Sequence, residues 1–175
     1  EFFRAARLLI DQKMPKQETE YDNKSCVHWS DPKTYFLIDL GEALWITGLT
    51  IQADNNDDYV IEASLDGRVF KPLLTVSSEW GEINDGMDTL STLAKDPQFA
   101  PAMVVVPVRA RYVKLGAKGG DEAYSVSELR LYGSKTAPAA TLPAPQQADG
   151  TIRPPEGAPT VSGGVEGDME GLFDA

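Results

Sequence analysis

One histidine, His28, and one cysteine, Cys26, stand in a chain of 175 residues that carries 27 Asp and Glu against 16 Lys and Arg. A nucleophilic triad needs an imidazole between a hydroxyl or thiol and a carboxylate, so any triad here stands or falls with His28. Gly-x-Ser-x-Gly, phosphate-binding glycine loops and His-Glu-x-x-His are absent from the sequence. Carboxylate pairs abound, and in so acidic a chain their number alone does not single out the acid and base of a glycosidase. The inventory therefore predicts a protein that is not an enzyme. A lone cysteine excludes an internal disulfide and a multi-cysteine zinc site. A formal charge of −11 and a pI near 4.5 disfavour nucleic acid and anionic lipid as partners. No apolar run approaches the roughly 18 residues that a membrane-spanning helix needs.

The chemistry that remains is binding. Asp54, Asn55, Asn56, Asp57 and Asp58 put five oxygen-bearing side chains in a row. As an EF-hand the row fails, because Tyr59 sits where the turn glycine belongs and Leu65 where the bidentate glutamate belongs. It reads as a polar loop between strands, whose Asn and Asp can hydrogen-bond sugar hydroxyls. A sugar also needs an aromatic ring to stack on and polar side chains to orient it. Trp80, Tyr124 and Tyr59 fall in or beside predicted loops, and Asn55, Asn56, Asp57 and Arg68 are near some of them in sequence. These seven are the candidate ligand-binding residues. The competing reading makes Trp80 a cover over the core edge and the tyrosines core packing.

A further group lies at the C-terminus. Met169, Leu172 and Phe173 have the i, i+3, i+4 spacing of one helical face among the acidic Glu166, Asp168, Glu170 and Asp174. An acidic segment with a compact apolar cluster is a common form of recognition motif that folds on a protein partner. An inert solvated terminus is the alternative.

Elements must position these residues, and most periodic segments alternate with period two, as half-buried strands do. Strand candidates are 35–40, 49–53, 59–65, 68–76, 103–108, 111–115 and 128–132. Asp66-Gly67 between two of them predicts a tight type I′ hairpin. Trp29 and Trp45, beside strand starts, are expected as buried anchors. Phe2, Phe3, Ala6, Leu9 and Ile10 predict one face of a short helix before Pro15, and 77–102 reads as a long loop with one helical turn. After Gly133 the composition shifts: half of the twelve prolines follow, with Phe173 the only aromatic. Such a stretch cannot bury enough apolar surface to offset its ordering entropy. The expected organisation is a leader at 1–19, an antiparallel β-sandwich at 20–133, and a Pro/Ala/Gly-rich acidic tail at 134–175, disordered or extended.

Three stretches, in order, resemble the discoidin family, the galactose-binding-like jelly roll of coagulation-factor C domains and family 32 carbohydrate-binding modules. The first runs from Asp22 through Trp29 to Asp39-Leu40-Gly41, and the second is Tyr59 to Phe70, containing Ser64-Leu65-Asp66-Gly67-Arg68-Val69-Phe70. The last joins Arg109-Ala110-Arg111-Tyr112-Val113-Lys114-Leu115 to Val126-Ser127-Glu128-Leu129-Arg130-Leu131-Tyr132-Gly133. Together they span about residues 20–133. The resemblance implies an all-β, antiparallel jelly-roll β-sandwich. It implies a non-catalytic extracytoplasmic module that recognises carbohydrate or another surface ligand through its loops. It also implies a structural calcium site, for which Asp22 and Glu128 match two ligands, whereas Lys24 and Val27 stand where an acidic residue and a threonine are expected, which weakens the site. The first residue, Glu1, is consistent with a processed or truncated N-terminus and with secretion. The alternative reading is a structural subunit of a larger extracytoplasmic assembly, its N-terminal segment and tail docking on neighbouring chains.

Overall fold

The computed structural model describes residues 6–54, 56–78, 86–93 and 107–138, and every structural statement below concerns these. They belong to the first of the two units into which the chain divides, Glu1–Ala139 and Ala140–Ala175. Phe2, Phe3 and the tail residues Met169, Leu172 and Phe173 lie outside the described residues, as do Asn55 and Trp80.

Seven strands are described: β1 (Val27–Trp29), β2 (Tyr35–Asp54), β3 (Asp58–Ser64), β4 (Lys71–Val76), β5 (Met87–Ser91), β6 (Val108–Gly119) and β7 (Tyr124–Ser134). All pairings are antiparallel, and the order is β1-β7-β2-β6-β3-β4 with β5 on β2. This is the expected all-β sandwich. Its long central strand serves both layers: the first part of β2 pairs with β6 from Tyr35↔Gly116 to Asp39↔Tyr112, and the later part pairs with β7 and β5. The register shifts between Asp39 and Leu44. There Gly41 takes a left-handed φ of 79°, open to glycine at little cost, and donates its N–H to Asp39 Oδ1 at 2.8 Å.

Before that bend β2 alternates, with Tyr35, Leu37 and Asp39 exposed and Phe36, Ile38 and Leu40 turned toward the core. Beyond it, from Gly48 to Asp54, both faces are buried. The inner face carries Leu49, Ile51 and Ala53. The outer face carries Thr50 and Gln52, capped by hydrogen bonds to Ser91 at 2.8 Å and Thr89 at 3.0 Å. The segment 11–21 crosses this outer face as a strap. Gln52 Nε2 donates to Pro15 O at 3.1 Å, and Glu18 N and Met87 O pair at 2.9 Å. The core between the layers centres on Trp29, whose ring lies 5.1 Å from Phe36, 5.7 Å from Tyr124 and 6.0 Å from Tyr59, centroid to centroid.

Several expectations are corrected. Within 77–102 there is a strand, β5, with Met87 fully buried and its backbone paired to β2 from Thr50↔Ser91 to Asp54↔Met87. The Asp66-Gly67 turn is longer than a type I′ hairpin, since the last pair of β3 and β4 is Ala63↔Lys71. Only Gly67 of the two has positive φ, and Asp66 instead caps the loop by accepting from Arg68 N at 2.9 Å and Val69 N at 3.0 Å. Leu65, the last residue of the strand candidate 59–65, is exposed because β3 ends at Ser64. The described part of the N-terminal helix is a 3-10 turn, Ala6–Ile10, with Leu9 buried and Ile10 exposed, because three residues per turn do not keep both on one face. Trp29 is a buried anchor, whereas Trp45, next to the bend, is half-buried. The candidates 103–108 and 111–115 are not separate over the described residues, where β6 runs unbroken from Val108.

Candidate functional site

At one end of the sandwich, the loop joining β2 to β3 meets the loop joining β6 to β7. Asp57 holds them together. It is 1% exposed; its Oδ1 accepts the backbone N–H of Asp121 at 3.1 Å and its Oδ2 the hydroxyl of Tyr59 at 3.2 Å. Burial pushes its carboxyl above the usual carboxylate range, against the pull of the Asp121 N–H. Gly120, at φ 136°, passes so close that a methyl there would overlap Asp57 Oδ1. Asp58 fixes the other flank, accepting from the backbone N–H and hydroxyl of Ser78 at 2.8 and 3.1 Å. On this braced frame two side chains face solvent: Asn56 donates from Nδ2 to Asp121 Oδ2 at 3.1 Å, and both residues are exposed. An amide and a carboxylate so paired keep further donor and acceptor capacity outward.

The structure separates the seven sequence candidates. Asn56 and Asp57 come together, with Asn56 at the surface and Asp57 as the buried brace rather than a ligand-facing group. Tyr59 and Tyr124 are corrected: at 0% and 2% exposed, they are core residues that no sugar can stack on. Their rings lie 6.4 Å apart, edge to face, in the Trp29 cluster. Arg68 is exposed but sits in the β3–β4 connection, at the other end of β3 from Asp58. Asn55 and Trp80 lie outside the described residues. Sequence reasoning missed Asp121, whose signal was the Gly119-Gly120-Asp121-Glu122 turn ahead of the last strand.

A second surface is the outer face of the layer β2-β6-β3-β4. Tyr35 is 60% exposed and Leu37 52%. Beside them Lys114 Nζ lies 5.6 Å from the Tyr35 ring and 4.8 Å from the Phe70 ring, and bonds Glu62 Oε2 at 2.6 Å. This face supplies exposed aromatic area, but its cation is already enclosed by two rings and a carboxylate of its own chain.

The Nδ1 of His28 is buried without a hydrogen-bond partner among the described residues, and its ring packs 5.5 Å from that of Tyr21.

For calcium, Glu128 is 1% exposed and both its oxygens are engaged. Oε1 accepts from Arg130 Nε at 3.2 Å and Oε2 from the backbone N–H of Gln12 at 3.1 Å. Asp22 and Lys24 are exposed and Val27 is buried in the core. No group of three or more His, Cys, Asp or Glu side chains suited to a metal occurs among the described residues. A guanidinium against the carboxylate opposes a dication there, so these residues do not fit calcium. A groove of about 580 Å³ runs beside the pair, lined by Ile10, Gln12 and Tyr132 among others.

No family model matches the chain, and no curated protein matches it. Among solved structures, the C-terminal domain of a chitobiase from Bacteroides fragilis is similar over 75% of this chain and 82% of that one, with 19% identity and a TM-score of 0.51. A fucolectin from striped bass serum is similar over 73% of this chain and 41% of its own, with 18% identity and a TM-score of 0.49. The module CBM32-1 of a family 31 glycoside hydrolase from Clostridium perfringens is similar over 73% and 83%, with 20% identity and a TM-score of 0.45. At such identities the likeness is one of fold, and the fold is the antiparallel discoidin-type, galactose-binding-like β-sandwich that the sequence resembles.

Proposed function

We propose that the chain is a non-catalytic module that recognises carbohydrate at the end of the sandwich where the loops around Asn56 and Asp121 meet. One observation carries the reading: the exposed Asn56–Asp121 pair is held in place by the buried Asp57, so a donor and an acceptor are set side by side before any ligand arrives. Adjacent hydroxyls of a sugar ring each donate and accept, and a preformed amide-carboxylate pair satisfies two of them without ordering cost at binding. The fold it shares with the C-terminal domain of a chitobiase, an enzyme of glycan breakdown, supports a glycan as the ligand. Trp80 remains the proposed stacking ring, with Asn55 beside Asn56 in the same loop. The module would act outside the cytoplasm, on glycans at a surface.

The full chain should be applied to a glycan array, then titrated against the best glycan by calorimetry. Asn56→Ala and Asp121→Ala are each expected to weaken binding at least about tenfold, the scale of one lost polar contact of roughly 1.4 kcal/mol, with an unchanged melting curve. A chain that retains no glycan, or whose affinity both variants leave untouched, would end this reading.

A further inference from the structure

The backbone of Gln12 is bonded at both of its polar groups to one pair of side chains in β7. Its N–H donates to Glu128 Oε2 at 3.1 Å, and its carbonyl accepts from Arg130 Nη2 at 3.1 Å, while Arg130 Nε bonds Glu128 Oε1 at 3.2 Å. The three partners close a ring. Gln12 adopts φ 66°, a left-handed conformation that a residue with a Cβ takes only at a cost, and its side chain is exposed, so the backbone alone accounts for the position. A guanidinium thus bonds a backbone carbonyl and a buried carboxylate at once, and this pair is the kind of oxygen donor set that also suits a hard dication.

We infer that Arg130 is a built-in cation that fastens the strap 11–21 to the sheet, so that the domain needs no calcium for its stability. The guanidinium does three things an ion would do at this place. It neutralises Glu128, which burial otherwise penalises; it ties the strap carbonyl to the final strand; and through its fork it fixes the direction from which the strap arrives. The rest of the strap is fastened by ordinary hydrogen bonds, from Gln52 to Pro15 O at 3.1 Å, between Met87 and Thr19 at 2.9 Å, and from Ser125 Oγ to Tyr21 O at 2.6 Å. Gln17 adds side-chain bonds to Asp88 and to Thr89.

The test uses the full chain. Thermal melting should be the same in excess calcium and in chelator, and calorimetric titration with calcium chloride should show no binding heat. Arg130→Met, which keeps the stem and removes the charge, should melt several degrees lower and expose the amide of Gln12 to hydrogen exchange. Arg130→Lys should recover part of the loss, because an ammonium keeps the charge but not the fork. Calcium-dependent melting of the wild type, a binding heat, or an Arg130→Met variant with wild-type melting and a protected Gln12 amide would each overturn the inference. Should Arg130→Met not fold at all, the calcium titration and the chelator melt on the wild type still decide.

Discussion

The hydroxyl of Tyr59 accepts the backbone N–H of Ser125 at 3.0 Å and lies 3.1 Å from the carbonyl of the same residue, so a side chain of β3 occupies a place that a strand neighbour of β7 would otherwise hold. It also reaches Asp57 Oδ2. Tyr59→Phe keeps the ring in the aromatic core and removes the oxygen, which leaves a buried N–H and part of a buried carboxylate without a partner. The expected cost is about 2 kcal/mol, read as a drop of roughly 4–8 °C in melting temperature. A variant within one degree of wild type would show that water takes over the hydroxyl's role.

Gly120→Ala puts a methyl into Asp57 Oδ1 at a left-handed φ. Either the loop or the carboxylate must move, at about 1–3 kcal/mol. Because Asp57 positions Asp121, glycan binding should weaken more than stability alone explains. Comparing calorimetric affinity with the melting curve of the same variant separates the two effects.

Stability should pass through a maximum on the acid side of neutrality. Asp39 is held at about 2 by its paired bonds with Arg111, and Asp66 at about 2 by the N–H groups of Val69 and Arg68. Their stabilising contribution is present above the ordinary carboxylate range and is lost as pH falls toward about 2. Asp57 and Glu128 behave oppositely, since burial raises both. What they contribute is complete below the ordinary range and is lost as pH rises through their raised folded values. Denaturant midpoints measured against pH should show a flatter acid limb in Asp66→Asn and a flatter limb toward neutrality in Asp57→Asn. Parallel curves for wild type and both variants would contradict the assignment.

Lys114→Met removes the cation between Tyr35 and Phe70 and strands the partly buried Glu62. An ion pair whose side chains are 27% and 20% exposed still meets solvent and contributes about 1 kcal/mol, and a cation over a ring adds about 0.5–1, so a loss of about 1–2 kcal/mol is expected. Added salt should reduce the wild-type advantage. A loss that salt leaves unchanged would point to packing of the lysine stem instead.

The fold was legible because alternation is local: Ile61, Ala63, Val113 and Leu115 announce an inner face two residues at a time. The same alternation already put Tyr59 on that face, in keeping with the core-packing reading. Tyr124 was harder to place, since it opens β7 next to a glycine-rich turn and only the Trp29 cluster shows that the chain turns inward there. Strand β5 went unseen because Met87, Asp88, Thr89, Leu90 and Ser91 carry no clean alternation, being covered on both faces. Asn56 was found, while its partner Asp121, 65 residues away, becomes a neighbour only through the fold. The role of Arg130 was equally hidden, because a backbone carbonyl leaves no trace in residue type.

The shared strand β2 also sets when the domain can form. Its partners in both layers come later in the chain, and the latest, β7, pairs with it from Trp45↔Ser134 to Ala53↔Val126. β1, near the start, pairs with β7 among the described strands. During synthesis the early strands therefore wait, with their apolar faces uncovered, until nearly all of residues 27–134 has left the ribosome. Contacts this distant in sequence favour slow, late closure and leave the apolar faces open to aggregation until the last strand arrives.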